Sequence, residues 1–339
     1  MAFHYNAAMS ENNPALRLIN LQYHIPVYEG LLRRQNGRIR IIDGISLDVL
    51  PGETVAIVGE KGSGKTTLGR TIMHLFKPTG GQILFNGTNL VKLKSSALRQ
   101  QRQKLQMVFQ DPYTALNPRM TIGELLTEPL EIHRQGTDAE RQARVHTLLH
   151  QVGLNSYVAR HYPHEIAGGS RQRVSIARAL ITQPSFLILD EPTRALDTAV
   201  SQQILQLLQE LKAQFQLTYL LFTSSMAAAV NMANRIYILY GGQIVEASQT
   251  NLLRERPLHP YTQALAAAMP LPDPAAEARR QHYTLTGTPP NPTSYPGGCR
   301  FHPRCPIASD ICSQQAPTLQ NLGTSAQPHL VACHHAHPQ

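Results

Sequence analysis

The chain has no apolar run approaching the ~18–20 residues that a membrane-spanning helix needs, and its start, Met1 to Pro14, is polar and lacks the apolar core of a secretory leader. Both absences predict a cytoplasmic protein, whose membrane spans, if it works at a membrane, come from other subunits. There is no heptad run and no internal repeat, which argues against a coiled-coil insert or a solenoid. Net charge is +9 and the pI is near 9.5, yet no arginine-rich run or RNA-binding motif accompanies the charge, so no nucleic-acid partner is expected. Arg33-Arg34 and Arg38-Arg40 read as a solvated loop. No cysteine occurs before Cys299. Apolar residues make up 42% of the 339, ample for a core and for one large or two modest domains.

Against these absences stands Gly59-Glu60-Lys61-Gly62-Ser63-Gly64-Lys65-Thr66, which fits G-x-x-x-x-G-K-[ST]. Glycines let the backbone curl so that successive N–H groups face one anion. A helix starting there adds its free N–H groups and positive dipole end. Lys65 reaches β- and γ-phosphates in such a loop, and the Thr66 hydroxyl reaches Mg²⁺. The context agrees: Thr54-Val55-Ala56-Ile57-Val58 reads as a buried strand, and Leu68, Ile72 and Phe76 recur at helical spacing. Further on, the apolar run Phe186 to Leu189 ends in Asp190 and Glu191. Ligands of α/β folds collect at the carboxyl ends of strands. Asp190 there suits Mg²⁺ through oxygen, and Glu191 suits an attacking water.

Gly168-Gly169 followed by Arg171-Gln172-Arg173-Val174-Ser175-Ile176-Ala177-Arg178-Ala179-Leu180 resembles the signature motif of ABC-transporter ATPases. Leu189-Asp190-Glu191-Pro192-Thr193, with Ala195-Leu196-Asp197, resembles their Walker B and D-loop, and Gln110 stands at the Q-loop position. Phe109-Gln110-Asp111-Pro112-Tyr113, Leu116-Asn117-Pro118-Arg119-Met120, Tyr162-Pro163-His164-Glu165 and Pro257-Leu258-His259-Pro260-Tyr261-Thr262 narrow the resemblance to the oligopeptide/dipeptide importer branch. It runs from about residue 16 to the end.

The resemblance implies an α/β fold: a P-loop NTPase core with an antiparallel β subdomain and a helical subdomain, plus a loop-rich C-terminal extension. It implies nucleotide binding by Gly59, Glu60, Gly62, Ser63, Gly64, Lys65, Thr66 and Thr67, and magnesium held by Thr66, Gln110 and Asp190. Glu191 and Gln110 are the implied catalytic residues, and Asp197 the D-loop residue. Two such ATPase domains dimerise head to tail, with each ATP between one phosphate loop and the other subunit's signature. Two transmembrane permease subunits, and indirectly a substrate-binding protein, are the further implied partners. The expected location is the cytoplasmic face of the membrane.

The sequence departs from this pattern in three places. The signature reads Ile166-Ala167-Gly168-Gly169-Ser170 where the family has Leu-Ser-Gly-Gly-Gln, so Ala167 lacks the serine's donor. Ser225 stands where the family has its switch histidine, and Met226 where it has aspartate. A hydroxyl has neither the reach nor the titratable proton of imidazole. Ile25 occupies the adenine-stacking position, with Tyr23 and Tyr28 close by to take that role. Ser225 affects the chain's own phosphate site, while Ala167 affects a partner's. The expectation is therefore a heterodimer with a more complete ATPase. A regulatory subunit with little hydrolysis, and a soluble ABC ATPase, are the competing readings.

All four cysteines cluster near the end, at Cys299, Cys305, Cys312 and Cys333, spaced C-x5-C-x6-C-x20-C. In a cytosolic chain such clustering favours metal over disulfides. The gaps exceed those of zinc ribbons, and four thiolates also suit an iron–sulfur cluster. Pro303-Arg304-Cys305-Pro306 resembles the C-terminal segment of peptide-importer ATPases, which implies a [4Fe–4S] cluster. His329, His334, His335 and His337 keep zinc as the rival.

The expected organisation is a disordered lead-in over 1–15, a nucleotide-binding domain over 16–250 with a helical subdomain at about 88–180, and a loop-rich extension over 251–339. Tyr237-Ile238-Leu239-Tyr240-Gly241-Gly242 reads as a strand and a tight turn.

Overall fold

The computed structural model describes residues 13–29, 34–269, 285 and 287–337. Most of the expected lead-in, residues 1–12, lies outside the described residues. The chain divides into two compact units. The first runs to Leu50 and adds Thr54–Val91 and the chain from Thr223 onward. The second comprises Pro51–Glu53 and Lys92–Phe222. The C-terminal segment thus shares a unit with the phosphate loop.

In the first unit, β1 (Leu16–Glu29) and β2 (Arg34–Val49) pair antiparallel, and β1 also pairs with β4 (Gly80–Phe85), which pairs with the two-residue β5 (Thr88–Asn89). The basic stretch expected as a loop is strand from Arg34 onward; Arg33 lies outside the described residues. Arg38 and Arg40 are exposed while Ile39 between them is half-buried, and this period-2 alternation suits an extended hairpin. β3 (Thr54–Val58) is buried at every residue and runs parallel to β9 (Arg235–Tyr240), as expected of strands covered on both faces.

α1 (Lys65–Ile72) buries Leu68 and Ile72. It is shorter than the spacing predicts. His74 takes a left-handed φ of 54°, which ends the helix and puts Phe76 beyond it. Phe76 stacks instead on Tyr23, with centroids 5.3 Å apart and planes 11° apart.

The second unit holds α2 (Ser95–Lys104), β6 (Leu105–Val108), α3 (Pro112–Ala115), α4 (Ile122–Ile132), α5 (Asp138–Gln151), α6 (Gly168–Leu180), β7 (Phe186–Asp190), α7 (Thr198–Phe215) and, as far as Phe222, β8 (Thr218–Thr223). β6, β7 and β8 pair parallel in that order. Capping boxes at Thr121/Glu124 and Thr137/Glu140 start α4 and α5, each satisfying helix N–H groups that would otherwise lack partners. Leu125, Leu126 and Leu130 face inward from α4, and Val145, Leu148 and Leu149 from α5. Arg178 on α6 donates to Glu128 on α4 at 2.9 Å.

The chain returns to the first unit through α8 (Met226–Met232) and β9. Gly241 and Gly242, with φ of 53° and 82°, turn it into β10 (Gln243–Gln249). The extension holds α9 (Thr250–Glu255), α10 (Pro260–Ala267) and α11 (Asp310–Gln314). It also supplies β11 (Gln320–Asn321) and β12 (Leu330–Val331), which lengthen the sheet from β10. Strands of two residues carry no periodicity, so the sequence did not announce them.

Candidate nucleotide site and cysteine segment

The phosphate loop follows the end of β3 and leads into the first turn of α1. Gly64 precedes the helix at φ 108°, and a Cβ there would lie 2.8 Å from the Ile41 carbonyl oxygen. A Cβ on Gly59 would lie 2.3 Å from the Leu239 carbonyl oxygen. Both positions therefore need glycine. Lys65 is buried, and its Nζ donates to the carbonyls of Gly59 at 2.5 Å and Glu60 at 3.0 Å. The ammonium thus lies curled within the loop. Ser63 Oγ is buried and, among the described residues, has no hydrogen-bond partner. A buried hydroxyl of this kind is costly unless a ligand or water meets it, so the cradle fits an anion. Thr66 and Thr67 are half-buried on the first turn of α1.

Ser225 lies in the same unit. The Gly59 N–H donates to the Thr223 carbonyl at 3.3 Å, which sets the β8–α8 corner beside the loop. Ser225 is the N-cap of α8, its Oγ accepting from Ala228 N–H at 3.2 Å. Tyr23, half-buried, has one ring face against Phe76, Ile25 is exposed, and Tyr28 is exposed at 58%.

The second unit carries the other motif residues. Asp190 is fully buried at the carboxyl end of β7. Glu191 follows with a left-handed φ of 47°, held by its N–H to the Phe222 carbonyl at 2.8 Å. A non-glycine residue in that region stores strain, and such strain gathers at functional positions. The Gln110 amide faces Arg194; with its oxygen turned to the guanidinium it accepts from Nε at 3.1 Å and also from Nη1. Sequence reasoning passed over Arg194, because no spacing rule pairs it with Gln110. Ala167 is the N-cap of α6 without a side-chain cap, and Ala167 and Gly168 are exposed while Gly169 and Ser170 are half-buried. Asp197 caps α7, its Oδ1 accepting from Val200 N–H at 2.9 Å.

The four cysteines converge in the first unit. The Cys299 N–H donates to the Cys312 carbonyl at 2.8 Å, and each thiol is in electrostatic reach of the other three. Burial, with this crowding added, pushes the Cys299 thiol up to about 11 and raises Cys305 and Cys333 as well. Among the described residues, no three His, Cys, Asp or Glu side chains stand as a closed metal-ligand set. The thiols are thus gathered without being drawn to bonding distance of one centre. Their donor chemistry suits a soft metal or a cluster.

Comparison with known proteins agrees with this geometry. The family model described as ABC transporter matches residues 42–194, and that of the oligopeptide/dipeptide transporter C-terminal region matches residues 245–312. The chain is 42% identical to the oligopeptide transport ATP-binding protein AppF of Bacillus subtilis, over 94% of this chain and 96% of that one. It is 43% identical to a putative peptide import ATP-binding protein of Brucella ovis, over 88% and 93%. Among solved structures, the dimeric post-hydrolysis state of the ATP-binding cassette MJ0796, bound to ADP and Pi, superposes with a TM-score of 0.62 at 30% identity. That match covers 69% of this chain and 98% of the other. A loop built for phosphates, a strained acid at a strand end and these relatives have one explanation: the chain belongs to the ABC transporter ATPases, in the branch that carries the oligopeptide/dipeptide transporter C-terminal region.

Proposed function

We propose that this ATPase powers the import of peptides, working with transmembrane permease subunits that supply the membrane path. The peptide class rests on the names of its relatives and on the matched C-terminal region. Among the described residues no helix is long and apolar enough to cross a membrane; the membrane path and the attachment are assigned to the permeases on the family likeness. A substrate-binding protein delivers the cargo to those permeases.

The observation that carries the reading is the buried Lys65 curled within the loop of Gly59, Glu60, Gly62, Ser63, Gly64 and Thr66. Exchanging two backbone carbonyls for phosphate oxygens gives the ammonium partners of opposite charge, adding ion-pair attraction to hydrogen bonds that its own charge already strengthens. Thr66, Gln110 and Asp190 would hold magnesium, which would neutralise phosphate charge. Glu191 orients the attacking water. Thr67 binds the nucleotide with the rest of the loop, and Tyr23 or Tyr28 stacks on the base. Ala167, Gly168, Gly169 and Ser170 face the nucleotide of a partner ATPase, supported by the exposure of the start of α6, and Asp197 follows at the same partner surface.

The partner is a different, more complete ATPase. A homodimer would combine the Ser225 and Ala167 departures at both sites, whereas a heterodimer has one departure at each. The test is the ATPase rate of the complex purified from membranes with its co-expressed partners, with and without Glu191→Gln. A large fall means that this chain's own site turns over despite Ser225. An unchanged rate means that hydrolysis is the partner's and this chain acts by binding ATP and closing the dimer.

The cysteine segment is read as the holder of a [4Fe–4S] cluster. A zinc site of mixed cysteine and histidine ligands would draw on the nearby histidines, and three of these are engaged elsewhere. His329 bonds Glu246, His334 bonds the Gln315 carbonyl and His335 bonds Ser309. Cys299, Cys305, Cys312 and Cys333 would be the cluster's donors, and a cluster bound there would tie the segment together.

A further inference from the structure

Glu60, the second residue of the phosphate loop, is held on three sides within one compact unit. Its backbone N–H donates to Tyr261 Oη at 2.8 Å. Its carboxylate takes both terminal nitrogens of Arg304, Nη1 to Oε2 at 2.8 Å and Nη2 to Oε1 at 3.1 Å. Its carbonyl accepts from Lys65 Nζ at 3.0 Å and Ser63 N–H at 3.2 Å. Two of these holds reach in from the C-terminal segment: Tyr261 lies on α10, and Arg304 lies between Cys299 and Cys305.

The Arg304 fork is deeply set. Its side chain is 5% exposed, against 27% for Glu60. Nη1 also reaches Tyr240 Oη at 3.4 Å, and the guanidinium lies over the Tyr240 ring at 5.9 Å. Tyr240, Tyr261 and Phe301 pack edge to face or tilted against one another, with centroids 4.7–5.6 Å apart. A planar fork meeting a carboxylate with two parallel bonds fixes geometry as well as energy. A loop built to receive a polyanion also carries a carboxylate at its second position, and that charge needs neutralising. Arg304 supplies the neutralising charge, and with Tyr261 it fixes the carbonyl that Lys65 uses.

We propose that Arg304 is a positioning residue for the phosphate loop, acting through Glu60 with Tyr261 as a second tether, so that the C-terminal segment sets the loop's affinity for a nucleoside triphosphate. This rests on reading Gly59–Thr66 as the nucleotide loop. Without Arg304 the loop that receives the phosphates carries an unpaired negative charge and loses a clamp. Removing the carboxylate as well takes away the repulsion, so affinity partly returns.

The test uses the full chain with its partner subunits and titrates Mg·ATP, with melting temperature followed in parallel. Arg304→Gln is expected to weaken ATP binding by about tenfold or more, the scale of a lost charged hydrogen bond, with KM raised and kcat little changed. Glu60→Gln/Arg304→Gln should bind ATP more tightly than Arg304→Gln alone, and Arg304→Lys should recover part of the loss. Tyr261→Phe, which removes only a hydroxyl, should weaken binding by a few fold and provides the comparison if the arginine variants fold poorly. Unchanged affinity in Arg304→Gln and Tyr261→Phe overturns the proposal, as does a double variant no tighter than the single one. Lys65→Met is the control: retained ATP affinity there overturns the reading of the loop and the inference with it.

Discussion

Glu246 Oε1 lies 2.6 Å from His329 Nε2, with side-chain exposures of 0% and 4%. The same carboxylate accepts from the backbone N–H groups of Leu258 at 2.8 Å and His259 at 2.9 Å. One buried acid on β10 thereby joins the residues before α10 to the chain next to β12.

Removing that acid should unfasten the extension. Glu246→Ala leaves a buried imidazole and two backbone donors without their acceptor, a class of change that costs about 1–3 kcal/mol for each group left unsatisfied. Urea denaturation of the wild type and the variant measures it. A change below about 1 kcal/mol would show that solvent or a local shift replaces the carboxylate.

Stability should also fall in mild acid. Burial lowers the His259 pKa to about 4, against an opposing pull from Glu246. Between about 6.5 and about 4 the unfolded chain therefore takes a proton that the folded chain refuses, and folding weakens as pH drops through that window. The slope from this one group approaches about 1.4 kcal/mol per pH unit. His259 Nδ1 accepts from the Tyr261 N–H at 3.0 Å, and His259→Asn keeps an acceptor at that cap. Melting temperature across pH 4–6.5 should be visibly flatter in the variant; an identical slope would remove His259 as the cause.

Ala167→Ser should act twice. Ala167 is the N-cap of α6 and makes no side-chain cap. Serine there should add about 1 kcal/mol. It should also raise turnover at the partner's ATP site, since one transition-state donor is worth about 10²–10³ in rate. Melting and the ATPase rate of the assembled complex report the two effects separately. A stability gain without a rate gain would confine the residue to capping.

Ser225→His tests the other departure. The variant gives up the cap to Ala228, costing about 1 kcal/mol, and supplies an imidazole beside the loop. If Ser225 limits this chain's own site, turnover should rise on the order of 10²-fold, the lower end for a positioned proton-transfer group. Combining it with Glu191→Gln should abolish the gain; a gain that survives would mean that the added activity is not this chain's.

Anaerobic purification should give brown protein containing iron, and Cys305→Ser should lose both colour and thermal stability. Colourless protein with stoichiometric zinc would assign the thiols to zinc instead.

The local elements were legible in the sequence because each of them is local. A strand, a glycine loop and a helix follow one another within Thr54–Ile72, and Asp190 and Glu191 close a single apolar run. These elements depend on spacing along the chain, and spacing is what a sequence displays. The departures at Ala167 and Ser225 were legible for the same reason. Tertiary structure decided what distance along the chain conceals. Arg304 reaches Glu60 across 244 positions and Glu246 reaches His329 across 83, and no periodicity encodes a pairing between segments so far apart. It also ended α1 at His74 and freed Phe76 to stack on Tyr23, because one left-handed residue overrides a helical spacing. The C-terminal segment, read from its sequence as a loop-rich extension with short helices, folds into the same unit as the phosphate loop. Short strands and buried ion pairs hold it there, and those exist only once the chain has folded.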